Sequence, residues 1–121
     1  MESKNRLSVL KRRSDFLSLQ KNGFRIRPTD WLLINYAPSP TGLTRCGWTL
    51  PRHVGSAVIR NRLKRWSRVF FRQLAKDDEL LPVDINLVFR RADEGFYRKL
   101  DYETFAGHLK KAWRTIRGRI G

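Results

Sequence analysis

The residues best suited to chemistry form a cationic stripe on one predicted helix. Between Ser56 and Ala75, apolar residues recur every three or four positions, which predicts an α-helix. At about 100° per residue, its apolar side chains fall within an arc of about 80°: Ile59, Leu63, Trp66, Phe70 and Leu74. A separate arc of about 140° carries basic and amide side chains: Arg60, Asn61, Lys64, Arg65, Arg68 and Arg72. Arg62 points away from the centre of this second arc.

The composition of this stripe indicates an anionic ligand. It contains no Asp or Glu, so the like charges at 60, 64, 68 and 72 repel one another. The planar guanidinium group suits bidentate contact with phosphate, and Asn61 offers both a donor and an acceptor. A solvated helix surface would normally mix the two signs of charge. We therefore interpret the stripe as a phosphate-binding surface.

The whole chain shares this cationic character. Its 26 Lys and Arg residues outnumber 11 Asp and Glu residues, and the net charge is +15. Such an excess is typical of proteins with an anionic partner. We favour nucleic acid over a membrane surface, because the narrow apolar stripes are needed for a core.

The location is predicted to be cytoplasmic and reducing. No apolar run approaches the roughly 20 residues that cross a bilayer, and the first residues lack the apolar stretch of a secretion signal. Cys46 is the one cysteine, so we expect a buried free thiol.

We predict a single RNA-binding domain over residues 1–121, with flexible ends at 1–13 and 118–121. A first helix is expected from an N-cap at Ser14 to Gly23, and Asp101 is expected to cap a last helix whose apolar stripe is Phe105, Leu109, Trp113 and Ile116.

Three segments have the composition or alternation of β-strands: residues 31–36, 45–50 and 83–90. The first two are predicted to pair antiparallel across a turn at 38–42, and the third to be half-buried. The order of elements favours an α+β fold with the helices on one side of a small sheet.

The residues do not form a recognisable protein active site. There are only two histidines, His53 and His108, and no cluster has metal-ligand spacing. No glycine-rich phosphate loop or nucleophile elbow occurs. We therefore expect neither catalysis by protein side chains nor a small-molecule substrate.

Residues 54–72 resemble the signature of the bacterial ribonuclease P protein. That signature runs Gly, a small residue, Ala, Val, any residue, Arg-Asn-Arg, an apolar residue and Lys-Arg, and here it reads Gly55-Ser56-Ala57-Val58-Ile59-Arg60-Asn61-Arg62-Leu63-Lys64-Arg65. Residues 10–16, followed by Gly23, are similar to the family's opening helix. The resemblance covers most of the chain.

The resemblance implies a fold and a function. The fold is a two-layer α/β sandwich, like domain 2 of ribosomal protein S5, with a mixed sheet of about four strands and three helices. Its left-handed β-α-β crossover runs against the usual handedness rule. The function is that of the protein subunit of ribonuclease P, an endoribonuclease whose catalytic RNA removes the 5′ leader of precursor tRNA with Mg²⁺ held mainly by the RNA.

The resemblance also implies site residues. The contacts to the catalytic RNA are assigned to Arg60, Asn61, Arg62, Lys64, Arg65, Arg68 and Arg72, with Asn61 as an outer-sphere Mg²⁺ contact. A cleft between the first helix, the sheet and the basic helix would hold the single-stranded leader, and its contacts are assigned to Phe16, Arg52, His53, Arg90 and Arg91. Aromatic stacking with flanking cations suits single strands. A core role for Phe16 is the alternative, and loop roles are the alternatives for His53, Arg90 and Arg91.

Two departures affect the predicted cleft. Gln20 stands where the family often has a second aromatic residue, and Pro51-Arg52-His53 replaces a Ser-Lys-Lys-like run. Two other functions also fit the charge: a structural RNA-binding protein, such as a small ribosomal protein, and a DNA-binding module.

Overall fold

The computed structural model describes residues 7–120. In that range the chain forms five strands and four α-helices. The strands are β1 (Leu7–Val9), β2 (Phe24–Thr29), β3 (Leu32–Pro38), β4 (Thr44–Thr49) and β5 (Val83–Phe89). The helices are α1 (Arg13–Asn22), α2 (Ala57–Lys76), α3 (Phe96–Lys99) and α4 (Tyr102–Ile120), and a 3₁₀ turn at Arg52–Val54 precedes α2.

The strands form one mixed sheet in the order β1-β4-β5-β3-β2. β4 and β5 are parallel neighbours joined through α2, which is the predicted β-α-β unit; its left-handedness stays a prediction. The predicted antiparallel pairing of β3 with β4 is wrong, because β5 lies between them and is antiparallel to β3. The α+β class is confirmed, with five strands and four helices instead of about four and three.

The extra elements lie at the sheet edges and beside α4. β1 pairs parallel with β4 over residues 7–9, within the segment 1–13 whose flexibility stays a prediction; residues 1–6 and 121 lie outside the described residues. At the other end, helix α4 continues through residues 118–120, for which the sequence predicted a flexible end. β2 is an edge strand whose Arg and Pro residues masked its strand character in the sequence.

The main core lies between one face of the sheet and the helices α2 and α4. Ile85 and Leu87 of β5 are buried there with Leu63 and Phe71 of α2. The predicted stripe of α4, at Phe105, Leu109, Trp113 and Ile116, is buried as well, which confirms it.

Helix α1 lies on the opposite face of the sheet, so the prediction that all helices share one side is wrong. Asp15 of α1 lies 3.6 Å from Arg45 of β4, and Phe16 packs against Gly47 of the same strand. Because α1 covers this second face, Asp84 and Asn86 of β5 are also buried, and the prediction of a half-buried β5 is wrong.

Capping hydrogen bonds and a glycine mark the ends of the helices. Ser56 caps α2 by accepting a hydrogen bond from the Ile59 amide at 3.4 Å, and Asp101 accepts one from the Thr104 amide at 2.7 Å. α1 begins one residue before Ser14, which is therefore not its cap. It ends at Gly23 as predicted, but in an extended conformation: a Cβ there would lie 2.6 Å from the Leu19 carbonyl oxygen, so close backbone approach requires glycine.

The helices within residues 7–120 do not meet the requirements of a membrane span. None of them is both long and apolar enough to cross a bilayer.

Candidate nucleic-acid interface

The buried side of α2 fixes which side faces outward. Leu63, Phe70, Phe71 and Leu74 are buried, and the Ser67 hydroxyl donates to the Leu63 carbonyl at 2.8 Å. The helix therefore cannot rotate without exposing its core residues.

Four of the predicted RNA-binding residues form an exposed stripe on α2, spaced by four, three and four positions: Asn61, Arg65, Arg68 and Arg72. We call these four residues the α2 stripe. Arg60 and Lys64 are half-buried on its flank. Within residues 7–120, none of these cations forms an ion pair with a carboxylate. The stripe therefore presents uncompensated positive charge to solvent, the arrangement that phosphate groups neutralise.

Arg68 of the α2 stripe contacts strand β4 of the sheet. Its guanidinium carbon lies 5.1 Å from the centre of the Trp48 ring on β4, within cation–π range. Burial raises the pKa of the nearby Cys46 thiol, while the positive charge of Arg68 acts in the opposite direction. Cys46 is a free, buried thiol, as predicted.

Arg62 is engaged by the protein itself. Its guanidinium donates to the Tyr97 carbonyl and, at 3.3 Å, to the Arg98 carbonyl, and it lies 4.8 Å from the centre of the Trp66 ring. Arg62 thus ties α2 to α3, away from the α2 stripe, as its position on the helical wheel predicted.

A cleft of about 510 Å³ opens between α1 and the second face of the sheet. We call it the α1 cleft. Phe16, Gln20 and Arg90 line it, and Phe16 is half-buried. A Cβ on Gly47 would lie 2.5 Å from two ring carbons of Phe16, so glycine is needed for the ring to rest on the sheet. One side of the ring therefore packs while part of it remains accessible.

A buried ion pair positions α1 over the sheet. Arg45 donates to both carboxylate oxygens of Asp84, at 2.7 and 2.6 Å, and Asp15 of α1 lies near the same guanidinium. Hydrogen bonding to Asp84 raises the pKa of Arg45. The Arg45 and Asp84 side chains are largely buried, and with Asp15 they link α1, β4 and β5.

The other predicted leader residues lie elsewhere. His53 and Arg91 line a separate pocket of about 430 Å³ beside Tyr97, and Arg52 is exposed on the 3₁₀ turn. No residue of α2 lines the α1 cleft, although the family resemblance implied that the basic helix borders it. The structure therefore brings Phe16 and Arg90 together but not the remaining three residues.

Five polar residues of the cleft were not predicted from the sequence: Arg13, Arg25, Asn35, Thr49 and Asn86. Asn86 donates to the Thr49 hydroxyl at 3.0 Å, so the floor of the cleft is polar and ordered. The polar positions of the alternating β5 sequence were the available signal, because they had to face away from the apolar core.

Asn61 fits magnesium poorly as a direct ligand. It supplies one amide oxygen between Arg60 and Arg62, whose charges repel a cation, whereas Mg²⁺ usually binds carboxylates together with phosphate groups. Among the described residues no cluster of three His, Cys, Asp or Glu could hold a metal.

Fold and surface together define a class: a small α+β protein with a cationic helix packed on a mixed sheet. A family model described as Ribonuclease P matches residues 4–117. The ribonuclease P protein component of Citrifermentans bemidjiense is 31% identical over 108 residues, covering 89% of this chain and 87% of the relative. That of Desulfatibacillum aliphaticivorans is 37% identical over 83 residues, which is 69% of each chain. The RNase P protein structure from Thermotoga maritima superimposes with a TM-score of 0.76 at 26% identity, covering 89% of this chain and 96% of that one.

The chain belongs to the ribonuclease P protein family. Membership confirms the resemblance of residues 54–72 and supports a role in tRNA processing, as the protein component of an endoribonuclease holoenzyme. It also implies the ribonuclease P RNA as partner.

Proposed function

We propose that the α2 stripe binds the phosphate backbone of the ribonuclease P RNA, which performs the cleavage. The observation that carries this proposal is that Arg65, Arg68 and Arg72 are exposed beside Asn61, without a carboxylate partner among the described residues, while the opposite side of α2 is buried. A solvated helix would lose nothing by mixing acidic residues into this surface, so the uncompensated charge points to a polyanion.

The α1 cleft is proposed to hold the single-stranded 5′ leader of precursor tRNA. A partly accessible Phe16 ring offers a stacking surface, and Arg13, Arg25 and Arg90 around it can follow the phosphate backbone. The polar floor formed by Thr49 and Asn86 suits hydrogen bonding to base edges.

Magnesium is proposed to be held mainly by the RNA. A Mg²⁺ ion bound by the RNA would supply a hydroxide nucleophile and would stabilise charge on the scissile phosphate. The protein's own contribution is electrostatic: its net charge of +15 screens phosphate repulsion, so the folded RNA needs less Mg²⁺. Asn61 is proposed as an outer-sphere contact only.

Reconstitution with a ribonuclease P RNA tests the function. The protein should lower the Mg²⁺ concentration needed for half-maximal cleavage of precursor tRNA and should favour leader-bearing substrate over mature tRNA. An unchanged Mg²⁺ requirement would contradict the proposal and leave a structural RNA-binding role. Competition by duplex DNA as strong as that by structured RNA, at equal salt, would instead favour a DNA-binding module.

A further inference from the structure

A second cationic surface lies at the edge of the sheet farthest from β1. A groove of about 420 Å³ runs between the edge strand β2 and helix α4. Its basic side chains come from both elements: Arg25, Arg27, Lys111 and Arg119. All four are exposed, and no carboxylate among the described residues lines the groove.

The groove is separate from the α2 stripe. Arg68 of the stripe lies against Trp48 on β4, whereas β2 is three strand positions away across β5 and β3. At about 4.8 Å per strand, this is roughly 14 Å of sheet. One stretch of phosphate backbone on the stripe does not extend into the groove without wrapping around the protein.

An exposed aromatic ring lies beside the groove. Phe24 is 57% exposed although it belongs to the strand that lines the groove, and its ring centre lies 5.6 Å from that of Tyr36. The Tyr36 hydroxyl in turn accepts a hydrogen bond from Arg119 at 3.2 Å. The ring and the guanidinium are therefore held close together by Tyr36.

Edge protection explains only part of this arrangement. Arg25, Arg27 and Pro28 on an edge strand prevent pairing with another sheet. That role does not require matching cations on α4, yet α4 carries no acidic residue from Thr104 to Ile120 and directs Lys111 and Arg119 into the same groove.

We propose that the β2–α4 groove is a second RNA-binding site, which takes a single-stranded segment with its phosphates between Arg27 and Lys111 and a base on Phe24. Cations that follow a backbone beside an exposed aromatic ring form the usual platform for single strands. The site goes beyond the proposed function, because it uses neither the α2 stripe nor Phe16; Arg25 is the one residue that lines both the groove and the α1 cleft. It allows one protein to hold two separate RNA segments at opposite edges of its sheet.

The test is the binding of a fluorescein-labelled uridine dodecamer to the full chain, measured by anisotropy over a salt series. Arg27→Ala/Lys111→Ala removes two of the exposed cations that line the groove. Lys110→Ala/Arg114→Ala is the matched control, since it removes the same charge from the side of α4 that faces α2. The groove variant should reduce the log–log salt slope by about 1.4, because each phosphate of a single strand that a cation no longer neutralises lowers the slope by about 0.7. The control should reduce it less.

Amide chemical shifts assign the effect to the groove. Addition of the dodecamer should shift the β2 resonances and those around Lys111 and Thr115, and Phe24→Ala should weaken these shifts while those at α1 remain. Equal slopes for the two double variants, or no shifts in β2, would overturn the proposal without affecting the Mg²⁺ test of the catalytic partnership. Tighter binding to phosphatidylglycerol vesicles than to the dodecamer, abolished in the groove variant, would also overturn it in favour of an anionic lipid surface.

Discussion

The α2 stripe and the α1 cleft differ in shape and in composition. The stripe is convex, and its three arginines are exposed cations that no described carboxylate compensates. The cleft is concave, with a half-buried Phe16 on a glycine, a polar floor and a buried ion pair beneath it. The net positive charge alone therefore does not distinguish these two surfaces, which suit different kinds of ligand. A convex cationic surface suits a backbone of any sequence, whereas a cleft with an aromatic ring suits an unpaired strand.

Removal of the buried Arg45–Asp84 pair, which lies beside Asp15 of α1, should have the largest effect. Asp84→Asn leaves the largely buried Arg45 without its bidentate partner, so the free energy of unfolding should fall by about 3 kcal/mol. Glu79→Gln is the matched control, because the Arg117–Glu79 pair is exposed and should contribute less than about 1 kcal/mol. Chemical denaturation measures both. Equal decreases would mean that the buried Arg45–Asp84 pair stabilises the fold no more than the exposed Arg117–Glu79 pair does.

A comparison of Arg62 with Arg72 distinguishes an arginine that stabilises the fold from one that is proposed to bind RNA. Arg62→Ala removes the donor to the Tyr97 carbonyl, so stability should fall by about 2 kcal/mol. Arg72→Ala, on the exposed stripe, should change stability by less than about 0.5 kcal/mol. The log–log salt slope for binding to the ribonuclease P RNA should change little with Arg62→Ala and should become shallower with Arg72→Ala. A slope that falls with Arg62→Ala and not with Arg72→Ala would reverse the two roles.

Phe16 tests whether the cleft binds an unpaired strand. Phe16→Ala should weaken binding of leader-bearing precursor tRNA by about 1 kcal/mol, roughly fivefold, because one base no longer has its stacking surface. Mature tRNA should be barely affected. Gln20→Phe, which adds an aromatic ring to the same cleft, should strengthen leader binding. If Phe16→Ala weakens the binding of both RNAs equally, Phe16 is a core residue and not a stacking surface for the leader.

The sequence predicted the stripe better than the cleft for a physical reason. The orientation of α2 follows from its own periodicity, so Leu63 and Arg68 could be placed on opposite sides from the sequence alone. The cleft depends on contacts distant in sequence: β5 lies between β3 and β4, and Arg45 meets Asp84 from the neighbouring strand. No local pattern carries that information. Arg52, His53 and Arg91 were grouped by resemblance alone, and none of them is among the residues that line the α1 cleft.

The salt dependence of binding to the ribonuclease P RNA tests the central claim most directly. Arg65→Ala/Arg68→Ala should make the log–log slope shallower by about two units, because each of the two guanidinium groups neutralises about one phosphate. Lys110→Ala/Arg114→Ala, which removes the same charge from α4, should leave the slope nearly unchanged. If the two double variants give the same slope, the α2 stripe does not contact RNA phosphates.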